Sequence, residues 1–474
     1  MSILVAQADA GARVNMRDGT HACVRDNMRV GPFSIRDDPP RSPRHAARNA
    51  GLVKHEHILL RPDPSRTVIR PFAPDYPDGF ESGQSRVQQI AERVMELGAE
   101  DLDIELTRVK ASLDERHRDV DDLLRRRFCE VAASLMIDRT VADDQQRLIG
   151  AYLSEEYAFE AAALFNPSVV LDPGQAPEAL GTVRFIMSLR GIGEGHISSV
   201  TFRTGLWLAS GEVVVDTPSE TAIPPVIQLP EGADDSVTLC CDGSRDVSET
   251  VLFPVLARHR QGIEDLRLVR FSEDDGSTLY HGIFTAFDGA QARPELLTTG
   301  DFRSFEMRPL SGAAARAKGM ALFPRRVGGR FAMLGRQDSE SIWVHQSDRL
   351  LNWEGGGKVL QPRYPWEFVQ LGNCGSPIEI EEGWLVITHG VGAVRNYCIG
   401  ACLLDRSDPT KLLARTERPV LEPSVSERDG YVPNVVYSCG SLVRDRMLLL
   451  PFGVADNFAT VATVSIDSLL ASMG

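Results

Sequence analysis

The chain has 474 residues, 43% of them apolar, and its 51 Lys and Arg face 66 Asp and Glu for a formal charge of −15. This composition excludes a wholly disordered chain and a surface built to attract nucleic-acid phosphate. No apolar run approaches the ~18 residues of a membrane span, and the opening MSILVAQADAGARVNMRDG lacks the basic and apolar regions of a signal peptide, so a cytoplasmic protein is expected.

Residues 1–55 carry DDPPRSPRHAARN and no sustained periodicity, which reads as a loose tail. A strand region over 56–83 follows, centred on HILLRPDPSRTVIRPF. Residues 84–162 then change character. Val87, Ile90, Val94 and Leu97 recur at helical spacing, as do Leu102, Leu106, Val109 and Leu113. A further stripe runs through Val120, Leu123, Leu124, Phe128, Val131, Leu135 and Met136, so three or more helices are expected. The LLRRRF run within it reads as a solvated helix face rather than an anion site.

From residue 163 to 474 the pattern is β. Apolar strands recur in TVRFIMSLR (182–190), TLYHGIFTA (278–286), RFAMLGR (330–336), GWLVITHGV (383–391) and RMLLLPFGV (446–454). The last three intervals are roughly fifty to sixty residues, a propeller-blade period. VLQP (359–362) and VLEP (420–423) are near copies. The expected fold is mainly β, a five-bladed β-propeller with an N-terminal helical segment; a β-sandwich with extra strands is the alternative. The eight cysteines form no CxxC pair, and Cys240-Cys241 reads as strand, so reduced and mostly buried thiols are expected.

Propellers carry function on strand ends and loops at the axial mouth. GIEDLR (262–267) brings Glu264, Asp265 and Arg267 to the start of an apolar strand. Arg190, Glu194 and His196 lie in SLRGIGEGH, Lys318 and Arg336 flank ALFP and the strand after it, His389 ends GWLVITH, and Asp456 follows PFGVA. Singly, each is more simply read as a surface ion pair or a structural histidine. Gathered on one face, Arg190, Lys318, Arg336 and His389 around Asp265 would make a cationic cluster suited to a small anion such as phosphate. One acid beside an anion site is what a glycoside phosphorylase needs, whereas an inverting hydrolase needs a second carboxylate as base.

These segments resemble glycoside hydrolase family 130, the five-bladed propeller enzymes of β-mannoside phosphorolysis. LFNPS (164–168) resembles its NP motif, and SLR the strand-end Arg. GIEDLR resembles its Gly-x-Glu-Asp-Pro-Arg signature, with Leu266 in place of Pro. The resemblance implies Asp265 as general acid, acting through the 3-hydroxyl of the mannosyl unit. It implies Lys318, Arg336, His389 and Tyr397 as phosphate ligands. It implies Asn166, Arg190, Glu264, Arg267, Asn373 and Asp456 as substrate ligands. IEDLR, GNCGSPIE (372–379) and YVPNVVYSCG (431–440) are most similar to the branch acting on β-1,2-linked oligomannosides, and they also resemble the related β-1,2-mannosyltransferase–phosphorylases.

Two departures stand out. Gln370 occupies the place of a Lys usual in the phosphorylases, and shorter members lack the helical segment. The leading expectation is an inverting β-mannoside phosphorylase that releases α-mannose 1-phosphate, and in reverse transfers mannose to an acceptor. Inorganic phosphate would be its co-substrate, with no cofactor; His281 and His389 lack metal-ligand spacing. The partners expected are a β-linked manno-oligosaccharide and phosphate, without nucleic acid or membrane, and the helical segment is a candidate surface for a homo-oligomer. The alternatives are an inverting β-mannosidase using water, with Glu194 or Glu427 as base, and a non-catalytic carbohydrate-binding propeller.

Overall fold

In a computed structural model the described residues are 51–474, except 78, 81, 138–139, 175–180, 231–234, 255 and 425–427. The tail expected over 1–55 therefore lies, up to residue 50, outside the described residues. Its last part is a strand: Val53–His55 pairs antiparallel with Phe458–Ser465. The strand region after it forms a short antiparallel pair, Val68–Pro71 with Ser154–Tyr157.

Four helices lie between those two strands: α1 (Arg86–Met95), α2 (Ala99–Leu113), α3 (Val120–Ala132) and α4 (Asp143–Tyr152). Ser85 starts α1 by accepting from the Gln88 N–H, a group that the first helical turn leaves without a partner. The apolar stripes meet in a core of their own around Ala91, Val94, Leu106, Phe128, Leu148 and Ile149. Helices α3 and α4 touch so closely at Gly150 that a Cβ there would stand 2.0 Å from the Leu124 carbonyl oxygen. Met136, expected on the buried stripe, is exposed. Two of the three arginines of LLRRRF are spent on neighbours, Arg125 on Asp122 and Asp143, and Arg127 on Glu130 and the Leu153 carbonyl.

The rest of the described chain is mainly β, and its strands group into five successive antiparallel units, the first two joined in one sheet by a parallel pair at Ser198 and Gly262 and extended by Val226–Gln228, Val237–Cys240 and Val251–Leu252. The first runs Ala163–Leu171, Val183–Ile192, Ser198–Trp207 and Val213–Val215. The second runs Gly262–Ser272, Thr278–Phe287, Ala292–Thr299 and Ser304–Pro309. The third is Ala321–Leu322, Phe331–Gly335, Ile342–Ser347 and Gly356–Leu360. The fourth is Gln370–Asn373, Gly383–Val391, Tyr397–Leu404 and Leu412–Arg415. The fifth is Val436–Tyr437, Met447–Val454 and Phe458–Ser465, completed by Val53–His55 from the start of the chain. The five apolar strands read from the sequence are the second strands of these units.

Both faces of those second strands are buried, and the two-residue period sorts their side chains between two cores. In Gly383–Val391, Trp384 and Val386 join the third unit, while Leu385 and Ile387 join the fifth. Each successive pair of units shares one such cluster, and the succession returns on itself: Leu164, Phe185 and Met187 of the first unit pack with Leu449, Ala459 and Val461 of the fifth.

A buried triad fastens the segment around residue 66 to the first unit. The Glu160 carboxylate accepts from Arg66 at 3.0 Å and from Arg203 at 2.7 Å. Among the described residues no helix is long and apolar enough to cross a membrane. The described cysteines are free thiols; Cys129 is exposed, Cys240 half-buried and the others buried.

Candidate functional site

In four of the five units the first strand is interrupted. In the first unit the register slips between Phe165 and Ser168, and in the second between Glu264 and Arg267. Such a bulge breaks the ladder and re-aims a side chain. Asn166 and Asp265 sit at these slips with φ of 50° and 55°, a left-handed conformation that Asn and Asp tolerate better than most residues. In the fourth unit the pairing lapses between Asn373 and Ile378, and in the fifth between Tyr437 and Leu442. Most of the candidate site residues come from these interruptions and from the ends of the second strands, while Lys318 lies in the turn before Ala321–Leu322 and Tyr397 opens Tyr397–Leu404.

One group forms around Asp265. Its Oδ1 accepts from the Asn166 amide at 2.7 Å and from Arg190 at 3.1 Å. Arg190 also donates to Glu264 at 2.8 Å and to the Ser198 hydroxyl at 2.9 Å. Lys318, its side chain 49% exposed, donates to the other Glu264 oxygen at 3.0 Å. Burial would raise the Asp265 carboxyl, but Arg190, the Asn166 amide, Arg267 and Lys318 outweigh it and hold the group below the ordinary range. Asp456 stands close enough to feel this charge. Burial, then the Asp265 carboxylate, push Asp456 up to about 6, partly offset by Arg190 and Arg395.

A second group forms around His389. Arg336 and the Gln370 amide each reach His389 Nε2 at 3.5 Å, and the Cys374 thiol lies 3.8 Å from Nδ1. The imidazole packs on the backbone of Gly372, where a Cβ would come within 2.4 Å of the ring. Tyr397 stacks on it at 6.1 Å and Tyr437 tilts against it at 4.9 Å. Burial, then Arg336 and Arg267, drive the His389 pKa well below its usual value. The imidazole is therefore neutral at pH 7. Burial also lowers the Arg336 pKa, and among the described residues Arg336 forms no ion pair with a carboxylate.

Arg267 joins the two groups. It is fully buried and donates to the Gly319 and Asn373 carbonyls, both at 3.0 Å, and to the Tyr437 hydroxyl at 2.6 Å. The Asn373 amide turns back onto the Gly375 carbonyl.

All eleven residues singled out in the sequence fall within this network, in a different arrangement from a ring of cations around Asp265. His389 carries no charge. Arg190 and Lys318 are paired with carboxylates, and Arg267 and Asn373 build the wall through backbone carbonyls. Glu194 is exposed at a hairpin tip, and Glu427 lies outside the described residues. His281 packs on Phe271 and bonds Thr298. Sequence reasoning passed over Tyr437, Ser198 and Arg395. The signal for Tyr437 was its place in YVPNVVYSCG; in the structure it is the last paired residue before the strand interruption of the fifth unit.

Residues 244–474 match glycoside hydrolase family 130, described as β-1,4-mannooligosaccharide phosphorylase. The chain is 34% identical over 214 residues to the 1,2-β-oligomannan phosphorylase of Thermoanaerobacter sp. (strain X514), a match covering 44% of this chain and 70% of that protein. This chain belongs to glycoside hydrolase family 130. It is also 32% identical to the β-1,2-mannobiose phosphorylase of Listeria innocua, over 46% of this chain and 62% of that one. A solved structure of a Listeria innocua β-1,2-mannobiose phosphorylase with β-1,2-mannobiose is 22% identical and covers 67% of this chain and 92% of its own, with a TM-score of 0.48. The family match takes in Asp265 through Asp456; Asn166 and Arg190, which bind Asp265, precede it.

Proposed function

We propose that this chain is an inverting β-mannoside phosphorylase acting on β-1,2-linked oligomannosides. The observation that carries the reading is the division of the site. A carboxylate cluster lies around Asp265, and beside it Arg336 forms no ion pair with a carboxylate among the described residues and faces a neutral His389 and two tyrosines. The first half suits sugar hydroxyls and a proton transfer. The second suits an anion, which a guanidinium binds through forked hydrogen bonds.

In the forward reaction a phosphate oxygen attacks C1 while the bond from C1 to the leaving oxygen breaks. Asp265 supplies the proton to that oxygen through the 3-hydroxyl of the mannosyl unit. The products are α-mannose 1-phosphate and a shortened mannoside, and the acid hydrogen that phosphate loses on forming the ester restores the proton to Asp265. Arg190 and Asn166 favour the ionised carboxyl in the unliganded protein. Sugar hydroxyls that take over those two donors would let Asp265 hold the proton it must give. Lys318 would turn from Glu264 to phosphate when the anion arrives.

Relatives named as β-1,2-oligomannan and β-1,2-mannobiose phosphorylases support the linkage. Five antiparallel units with a shared core between each pair, the last returning to the first, support a five-bladed propeller over 163–474, preceded by the helical segment over 84–162. The helical segment remains our candidate surface for self-association, and free thiols suit a reducing cytoplasm.

Gln370 beside His389 favours a second reading, hydrolysis by water, because the position lacks a cation that would hold phosphate. Incubation with β-1,2-mannobiose and longer oligomers, with and without phosphate, tests both. Phosphate-dependent mannose 1-phosphate is expected. Free mannose released at a rate indifferent to phosphate would overturn phosphorolysis in favour of hydrolysis.

A further inference from the structure

Tyr431 is 75% exposed, yet its position is fixed on two sides. Its ring meets that of His196 at 5.6 Å between centroids, with the planes 32° apart. His196 belongs to the hairpin tip of the first unit, whereas Tyr431 lies on the strap that enters the fifth. The strap is latched to the turn that carries Asp456. The Val432 N–H donates to the Ala455 carbonyl at 3.1 Å, and the Asn457 amide donates to the Asp429 carbonyl at 3.2 Å. A Cβ on Gly430 would stand 2.3 Å from the Ala455 carbonyl oxygen, so the strap lies flat on that turn. Farther along, the Tyr397 N–H donates to the Asn434 carbonyl at 2.9 Å.

The strap thus runs between the Asp456 side of the site and the Tyr397 side, and it holds an aromatic face to water. A held aromatic ring binds with little further loss of side-chain freedom. Its face suits the C–H face of a pyranose, while the exposed Glu194 and Arg395 on the neighbouring hairpin tips suit sugar hydroxyls. The backbone bonds of Val432 and Asp429 place this ring beside the turn that carries Asp456, one of the sugar ligands of the reading above.

We propose that Tyr431, braced by His196, is a stacking platform for a sugar unit beyond the two at the scissile bond, and that it makes the chain favour oligomannosides of three or more units over the disaccharide. The proposal rests on the β-mannoside reading above. The test compares phosphorolysis of β-1,2-mannobiose and of longer β-1,2-oligomannosides by the wild type, Tyr431→Ala and Tyr431→Phe. Tyr431→Ala should raise KM for the longer substrates about tenfold with kcat retained. The KM for mannobiose and for phosphate should stay at the wild-type level, and Tyr431→Phe should resemble the wild type. Equal loss on mannobiose, or no change on any length, would overturn the platform. Should the wild type yield no mannose 1-phosphate, the functional reading fails, and calorimetric binding of the same oligosaccharides decides the platform separately. Weaker binding by Tyr431→Ala supports it. Equal binding, or none by the wild type, sinks it.

Discussion

Asp456 offers a test in which stability and function move in opposite directions. Its carboxyl is raised from 3.8 to about 6, by burial and by the Asp265 charge. At 1.36 kcal/mol per pKa unit, that shift costs the folded protein about 3 kcal/mol once Asp456 is ionised. The sign follows from proton uptake. Between pH 3.8 and about 6 the folded chain holds a proton that the unfolded chain has released, so stability falls as pH rises through that window. Below the window the cost is absent, and above it the cost is complete.

Asp456→Asn removes the charge and keeps a residue type that accepts the left-handed backbone there, where φ is 49°. Relative to the wild type, the variant should therefore gain about 2.4 kcal/mol more at pH 7.5 than at pH 4, where a small part of the cost is already present, read by urea unfolding followed through tryptophan fluorescence. Placed in Asp265→Asn, where one cause of the shift is gone, the same substitution should show a smaller pH-dependent gain. The same variant should bind mannoside more weakly, because Asp456 is proposed to hold the sugar. A stability difference independent of pH would refute the account of Asp456 as a carboxyl strained by its neighbour.

Asp265→Asn should lower kcat by about 10²- to 10⁴-fold with unchanged circular dichroism, the usual range for a lost general acid; near-wild-type turnover would remove Asp265 from that role. Arg336→Ala should raise the phosphate KM by about ten- to a hundredfold and leave the mannoside KM unaltered, and a change confined to the sugar would place the anion elsewhere. Gln370→Lys adds a cation beside Arg336 and should lower the phosphate KM by about three- to tenfold, so a raised KM would argue against phosphate at His389. Glu160→Ala strands Arg66 and Arg203 in the interior and should cost about 3–5 kcal/mol in denaturant unfolding; a loss below ~1 kcal/mol would show that the triad does not hold the N-terminal segment.

The strands that form the second member of each unit were legible because both their faces are buried, which leaves continuous apolar runs such as GWLVITHGV and RMLLLPFGV. The helices were legible from their stripes, although Met136 was misplaced because periodicity continues past the end of a helix that the packing stops. Local motifs also singled out Asp265, Lys318, Arg336 and His389, since each stands at a strand end with its own sequence neighbourhood. What local sequence could not carry was the pairing among them. Arg190 meets Asp265 and Glu264 across the first and second units, and Arg267 meets Tyr437 across the second and fifth.

Charge at the site was decided by that pairing. The sequence by itself determined a mainly β chain with a helical segment, and a set of acids and bases suited to glycoside chemistry. The tertiary structure alone decided that His389 is neutral, that Arg190 and Lys318 already have carboxylate partners, and that Arg336 has none among the described residues. The reason is physical: a pKa and a free cation depend on burial and on groups a few ångströms away, and most of those neighbours come from other units. The strand Val53–His55 shows the same dependence in the fold. Three residues with no pattern of their own become the outer strand of the fifth unit because Phe458–Ser465 leaves an edge open to them.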